Sequence, residues 1–350
     1  MSRVSADAPG PRAVPVWLVA YVLPALGILA LVLLSFALGK FPIAPGELAR
    51  VVWAKATGTA HGLPETYDAV VWRIRMPRIA TACLVGAGLA AAGATYQGLF
   101  RNPLVSPDIL GVSSAAGFGA ALAILMSLPV VAVQGLAFVF GLAAVAVVYT
   151  IARLAGGRHE PLLVLVLAGV VVGALFSASI SLIKYVADPY DQLPAIEFWL
   201  LGGLSGVRLA DIGPVVVPIL IGVVPLALLR WRLNVLSLDD EEARALGVRT
   251  GPLRALAIAC ATLMTAAAVS IAGMVGWVGL IVPHIARMLV GPSFVRLLPA
   301  SMLIGAAYLL AVDNVARTAA AIEIPLGVLN AFLGAPFFLF VLARARRSWQ

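Results

Sequence analysis

Residues able to carry out chemistry are few in this sequence and are not arranged as a catalytic or metal-binding set. The three histidines, His61, His159 and His284, lie far apart, and Cys83 and Cys260 both fall within apolar runs. No spacing among them resembles a zinc site, and no disulfide framework is expected. The phosphate-binding pattern G-x-x-x-x-G-K-[ST] does not occur, so the chain is not expected to cradle the phosphates of ATP. We predict that the chain by itself is not an enzyme and holds no cofactor or metal.

One charged segment interrupts the apolar sequence. Residues 239–242 are four consecutive acids with arginines on either side. We predict a short helix in which Ser237 is the N-cap and Asp240 takes the capping-box position usually held by Glu or Gln. Acids in the first turn suit the positive end of a helix, and Gly247 is a natural C-terminal stop. The candidate residues within segment 237–248 are Ser237, Leu238, Asp239, Asp240, Glu241, Glu242, Ala245, Leu246 and Gly247. On spacing alone, the more ordinary interpretation is a solvated connector.

The elements that must position these residues are membrane-spanning helices. The chain is 62% apolar with a mean hydropathy of +1.04, and apolar runs of about 20 residues are long enough to cross a bilayer. The predicted spans are 15–38, 77–99, 109–127, 130–153, 162–186, 213–229, 254–272, 275–290, 297–313 and 327–343. The fold class is therefore all-α, with about ten spans in a single domain over residues 1–350. The first apolar run, residues 14–39, is too long for a signal-peptide core and is predicted to be retained.

Two connections between the predicted spans have distinct character. Residues 40–76 form a long polar connection. Residues 195–206 are apolar but too short to span, which predicts a short helix lying at the membrane surface or re-entering the membrane.

The distribution of basic residues predicts the orientation of the chain. The net charge of +8 and the pI near 10 fit the positive-inside rule better than binding to nucleic acid. If both termini are cytoplasmic, most of the 24 lysines and arginines fall on the inner side. This orientation places the acidic segment in the cytoplasm.

Small residues and the scarcity of charge characterise the spans. Gly86, Ala90 and Ala94 recur at every fourth position, which predicts close helix packing in lipid. Ionisable residues such as Lys184, Asp313 and His284 fall near the predicted span ends. Because a charge at the bilayer centre is costly and is kept only for work such as proton relay, this pattern weighs against a proton-coupled carrier.

Four stretches carry a resemblance to a known family. They are residues 73–117, 236–248, 278–291 and 324–342, and they occur in the family's order over nearly the whole chain. The sequence resembles the permease subunits of ABC importers for iron complexes, haem and cobalamin, the type II importers. The resemblance implies a ten-span inner-membrane subunit that forms a homodimer with its translocation path at the dimer interface. It also implies two cytoplasmic ATPase subunits, which bind ATP and Mg, and a substrate-binding protein outside.

The resemblance also implies roles for particular residues. It makes segment 237–248 the coupling helix that fits a groove on the ATPase. It makes Arg75, Arg78 and Arg317 partners for glutamates of the binding protein, the alternative being arginines that extend along the lipid to reach water. It places Asn102 and Leu104 at the inner gate of the path, the alternative being an ordinary span end.

The implied substrate is an iron–siderophore type of metal chelate, with haem, cobalamin and molybdate or tungstate as alternatives. The alternative from a different functional class is a secondary transporter driven by an ion gradient.

Overall fold

The computed structural model describes residues 17–155 and 161–346, and within these ranges every regular element is a helix. Each of the ten predicted apolar segments corresponds to one helix. They are α1 (Leu18–Ala37), α3 (Thr66–Leu99), α4 (Val112–Leu125), α5 (Val130–Ala155), α6 (Pro161–Val186), α8 (Leu209–Leu228), α11 (Thr250–Ala272), α12 (Val278–Val290), α13 (Phe294–Thr318) and α14 (Leu326–Arg346). Four short α-helices and one 3-10 helix (Pro107–Leu110) connect them, and the α-helices are α2 (Pro45–Thr57), α7 (Gln192–Leu201), α9 (Arg230–Val235) and α10 (Asp240–Ala245).

Seven of the described helices are long and apolar enough to cross a membrane by themselves, and α4, α12 and the apolar part of α14 (Leu326–Val341) are shorter. The turns between spans gather at two ends of the bundle. The α10 face consists of residues 100–106, 229–249 and 291–293, and the opposite face consists of residues 38–65, 187–208 and 319–325.

Two of the predicted boundaries were wrong at the opposite face. The second span begins at Thr66 and not at residue 77, because the chain enters it through a wider π-helical segment, Ala69–Arg75. The ninth span continues to Thr318, so Arg317 lies in its last turn and not beyond it. The polar connection 40–76 also contains α2, whose Leu48 and Val51 are buried.

The centre of the bundle is α3, whose small residues allow backbone contact with its neighbours. A Cβ added to Gly86 would lie 2.2 Å from the carbonyl oxygen of Gly305 on α13. One added to Gly93 would lie 1.8 Å from the carbonyl oxygen of Gly279 on α12. The predicted small-residue stripe is therefore confirmed as a helix-packing surface.

The two short helices α4 and α12 each follow a long buried helix and a turn that has a left-handed residue. Gly111 (φ +77°) precedes α4, and Trp277 (φ +61°) precedes α12. Because their parent helices, α3 and α11, are the second and seventh spans, the two helix pairs run in opposite directions.

The expectation that ionisable residues keep to span ends was wrong for His284. It is the central residue of α12, and its ring lies 5.9 Å from that of Phe337 on α14.

Candidate coupling and docking surfaces

The acidic segment forms a helix that is shorter than predicted and begins two residues later. α10 covers only Asp240–Ala245, and its N-cap is Asp239 in an extended conformation. The prediction of Ser237 as N-cap was wrong. The Ser237 hydroxyl donates instead to the carbonyl oxygen of Asn234 at 2.8 Å, at the end of α9.

The C-terminal stop predicted at Gly247 is confirmed. Gly247 has φ +76°, the left-handed conformation that glycine adopts without steric cost. Its amide donates to the Arg244 carbonyl at 2.9 Å, and the amide of Val248 donates to the Ala243 carbonyl at 3.0 Å. These two bonds form a Schellman motif, which satisfies carbonyls that the helix end would leave unpaired.

The exposure of α10 and its flanks divides them into an anchored side and a free side. Ala243 is fully buried and Val248 is nearly so. Leu246 is 56% exposed, Leu238 is 38% exposed, and Ala245 is also exposed. Glu241 and Glu242 are exposed beside them, whereas the side chain of Asp240 lies outside the described residues. The free side thus combines apolar side chains with carboxylates.

A single arginine joins this segment to the turn after α3. The Arg101 Nη1 atom lies 2.7 Å from Oδ1 of Asp239, and its guanidinium also donates to the carbonyl oxygens of Leu236 and Leu238. Arg101 itself adopts a left-handed conformation, φ +51°. Arg101 therefore links the α10 segment to the turn that contains the predicted gate residues.

The predicted gate residues occupy that turn. The Asn102 Oδ1 atom accepts a hydrogen bond from the amide of Leu104 at 2.9 Å, and both side chains are exposed. Proline at position 103 prevents α3 from continuing. Their role as a gate stays a prediction.

The opposite face carries a buried cluster of charges around the three predicted docking arginines. Arg78 on α3 donates through Nε to both carboxylate oxygens of Asp313 on α13, at 3.0 and 3.1 Å. Its Nη1 donates to Glu323 at 2.9 Å, in the turn after α13. The Nε atom of Arg317 lies 3.4 Å from Oδ2 of Asp313, whose side chain is completely buried.

Backbone carbonyls hold the rest of this cluster in place. The guanidinium of Arg75 donates to the carbonyl oxygens of Phe36 and Phe41, which lie at the end of α1 and just beyond it. Arg317 donates to the carbonyl of Ser35 at 3.3 Å and to Asn314 Oδ1 at 2.5 Å.

All three arginines are at least nine-tenths buried, so they do not extend along lipid to reach water. That alternative was wrong, and docking by these residues stays a prediction. The arginine cluster contains three guanidinium groups and two carboxylates, those of Asp313 and Glu323, so its net charge is +1.

Comparison with known proteins identifies the chain. The model of the FecCD transport family matches residues 27–344. The chain belongs to this family. It is the permease of an ATP-binding cassette importer, and the two faces described above are the two ends of that permease.

Relatives with different named substrates share this chain's sequence over most of its length. The molybdate import system permease MolB of Haemophilus influenzae is 42% identical over 315 residues, which cover 90% of this chain and 92% of MolB. The cobalamin import system permease BtuC of Halobacterium salinarum is 44% identical over 290 residues, which cover 83% of this chain and 77% of BtuC.

A solved structure shares both the fold and the sequence. It is an inward-facing conformation of a transporter assigned to the metal-chelate type, with 38% identity and a TM-score of 0.82. The match covers 92% of this permease and 98% of that chain.

Sequence reasoning missed the internal partners of the predicted site residues in this FecCD permease. Asp313 and Arg317 are four residues apart on one helix, a spacing that could have indicated an ion pair. Glu323 and Asp239 gave no such signal, because their arginine partners are 245 and 138 residues away in the sequence.

Proposed function

We propose that this permease works as a homodimer to which two ATPase subunits bind at the α10 face and a substrate-binding protein binds at the opposite face. The observation that carries the proposal is the free side of α10, where Leu238, Ala245 and Leu246 are exposed on a segment anchored by Ala243 and Arg101. Exposed leucines beside carboxylates, on an anchored helix outside the spans, are suited to enter a groove on another protein.

The positive-inside rule supports a cytoplasmic α10 face. Arginines at or near this face include Arg101, Arg153, Arg230, Arg232, Arg244, Arg249, Arg254 and Arg296. Short cytoplasmic connections carry an excess of arginine and lysine. With ten spans, the same rule gives cytoplasmic N- and C-termini.

An exposed polar face on α6 supports the homodimer. Ser177, Ala178 and Ser181 are exposed within this span. The Ser177 hydroxyl lies 3.4 Å from that of Ser114 on α4, and Ser181 donates to a carbonyl of its own helix at 3.2 Å. Hydroxyl groups are better placed at a helix interface or a water-filled path than in hydrocarbon. We therefore infer that this face lines a path between two copies of the chain.

The proposed substrate is a metal chelate of the iron–siderophore type, supported by the likeness to the metal-chelate transporter. A second candidate is molybdate, supported by the 42% identity to MolB over nine-tenths of the chain. Uptake of a radiolabelled ferric siderophore, with radiolabelled molybdate in parallel, by vesicles containing the complete transporter separates the two.

The proposed function is tested directly by identifying the energy source of transport. The purified permease is expected to show no ATP hydrolysis, because its sequence has no phosphate loop, and hydrolysis is expected once the ATPase subunit is added. The measurement is phosphate release in proteoliposomes, alongside substrate uptake with and without an imposed ion gradient. Gradient-driven uptake by the permease alone would instead identify a secondary transporter.

Docking at the opposite face leads to a second prediction. Glu323 is 36% exposed and accepts a hydrogen bond from Nη1 of Arg78. It therefore competes with any acidic residue of a binding protein for that donor. Glu323→Gln releases that donor and raises the net charge of the arginine cluster from +1 to +2. Because exposed ion pairs contribute about 0–1 kcal/mol, we expect docking to strengthen by up to about fivefold.

The measurement for this variant is surface plasmon resonance with the substrate-binding protein whose gene neighbours that of the permease. Glu65→Gln is the matched control, because it removes one exposed carboxylate from the same face without touching the cluster. Equal responses of the two variants would show that only general charge matters and that Arg78 is not a docking residue.

A further inference from the structure

A long groove between three of the spans has an apolar body and a basic mouth. Its inner compartment, of about 550 Å³, lies between α5, α8 and α11 and is lined by Leu142, Tyr149, Ile221, Pro225 and Leu263 among others. Ala255 and Ala259 of α11 also line it, and their small side chains leave space between the two flanking helices. The groove is continuous with a second compartment of about 490 Å³, with which it shares Tyr149, Ala255 and Ile258.

The mouth of the groove is lined by arginines at the α10 face. Arg153 and Arg254 line the second compartment, and Arg232 and Arg249 line a third, of about 380 Å³, which adjoins it at Pro252. The guanidinium of Arg153 lies 5.1 Å from the ring centroid of Tyr149, which holds it over the groove. None of the described residues lining these three compartments is acidic.

The dimensions of the groove fit one leaflet of a bilayer. From Arg153 to Leu142 along α5 is 11 residues, or about 16 Å at the helical rise of about 1.5 Å per residue. Half of a hydrocarbon core about 30 Å thick is about 15 Å. An acyl chain of the leaflet at the α10 face would therefore fill the apolar body while its headgroup lies at the arginines.

We propose that this groove is a binding site for an anionic phospholipid. The apolar body takes an acyl chain, and Arg153 and Arg249 bind the phosphate and the anionic headgroup. Basic pockets between spans are suited to anionic headgroups, whereas a zwitterionic lipid gains less from a mouth lined by arginines. The proposal holds whichever face is cytoplasmic and does not depend on the identity of the transported substrate.

The test is native mass spectrometry of the purified permease after addition of phosphatidylglycerol or phosphatidylcholine. We expect retention of phosphatidylglycerol in preference to phosphatidylcholine. Arg153→Gln combined with Arg249→Gln should weaken retention by about fivefold for each arginine removed. The matched control is Arg230→Gln combined with Arg296→Gln, which removes two exposed arginines of the same face that do not line the groove and should leave retention unchanged.

The apolar part of the site has its own test. Ala259→Phe should fill the groove and reduce retention, whereas Val147→Phe, on the exposed side of α5 outside the groove, should not. An excess of inorganic phosphate should not displace the lipid.

Equal retention of the two lipids, or undiminished retention by the arginine pair variant, would overturn the proposal. So would displacement by phosphate with no effect of Ala259→Phe, which would indicate a free anion site. A dimer that retains no phospholipid, and whose association is weakened by Ala259→Phe, would show that a second copy of the chain covers the groove.

Discussion

Replacement of Asp313 by alanine is expected to destabilise the permease by about 3–5 kcal/mol, because it leaves buried cations without their partner. Asp313 has no exposed side-chain surface and lies 2.9 Å from Arg78 and 3.4 Å from Arg317. Without it, Arg317 loses the only carboxylate it contacts among the described residues, and Arg78 keeps only the partly exposed Glu323. The measurement is thermal unfolding of the purified protein in detergent.

The matched control is Glu197→Ala. Glu197 pairs with Lys184 at 2.5 Å, joining α6 to α7 at the same face, but the two side chains are 45% and 35% exposed. Because exposed pairs contribute little, the expected loss is about 0–1 kcal/mol. Similar losses for the two variants would show that burial does not govern the strength of this cluster.

A double variant separates charge from packing at this position. Arg78→Met combined with Asp313→Leu removes a buried charge pair and keeps apolar volume. Replacing a buried pair by apolar residues is often close to neutral in stability. The double variant should therefore be more stable than Asp313→Ala, although Glu323 and Arg317 each lose a partner.

Helix content and order followed from the sequence because the signals are local. Runs of apolar residues predicted all ten spans, and Gly247 predicted the end of α10 through its left-handed conformation. The stripe at Gly86 predicted close packing, since small residues have few other uses within a span. The boundary errors at residues 66 and 318 arose because helices continue beyond the apolar core wherever polar residues find partners inside the protein.

The charged clusters could not be predicted because their partners are far apart in the chain. Arg78 meets an aspartate 235 residues later, and Arg101 meets one 138 residues later. The N-cap was assigned to Ser237 and not to Asp239 because the sequence did not show that α10 begins only at Asp240. The contacts of these residues therefore could not be predicted from the sequence.

The largest functional effect is expected from Leu246→Asp on the free side of the α10 segment. Leu246 is 56% exposed, although it is a large apolar residue placed just after a six-residue helix. In the proposed complex it enters a groove on the ATPase, where an aspartate would be buried without a partner. Because an unpaired charge at a desolvated interface is costly, we expect ATPase association to weaken by about 30-fold or more, equivalent to about 2 kcal/mol.

The fold should not change in this variant, which makes the result interpretable. Leu246 lies outside the spans, and Ala243 and Arg101, which anchor the segment, are untouched. The variant should therefore elute at the size of the wild-type protein and unfold at the same temperature.

Ala243→Asp is the contrasting change, because Ala243 is fully buried and a charge there should disrupt the segment itself. Leu246→Met keeps an apolar side chain of similar volume and should retain both association and uptake. The measurements are ATPase retention on the tagged permease and substrate uptake by the reconstituted complex. If Leu246→Asp retained the ATPase and transported normally, the α10 segment would be only a connector between α9 and α11, and the ATPase would have to bind elsewhere on the α10 face.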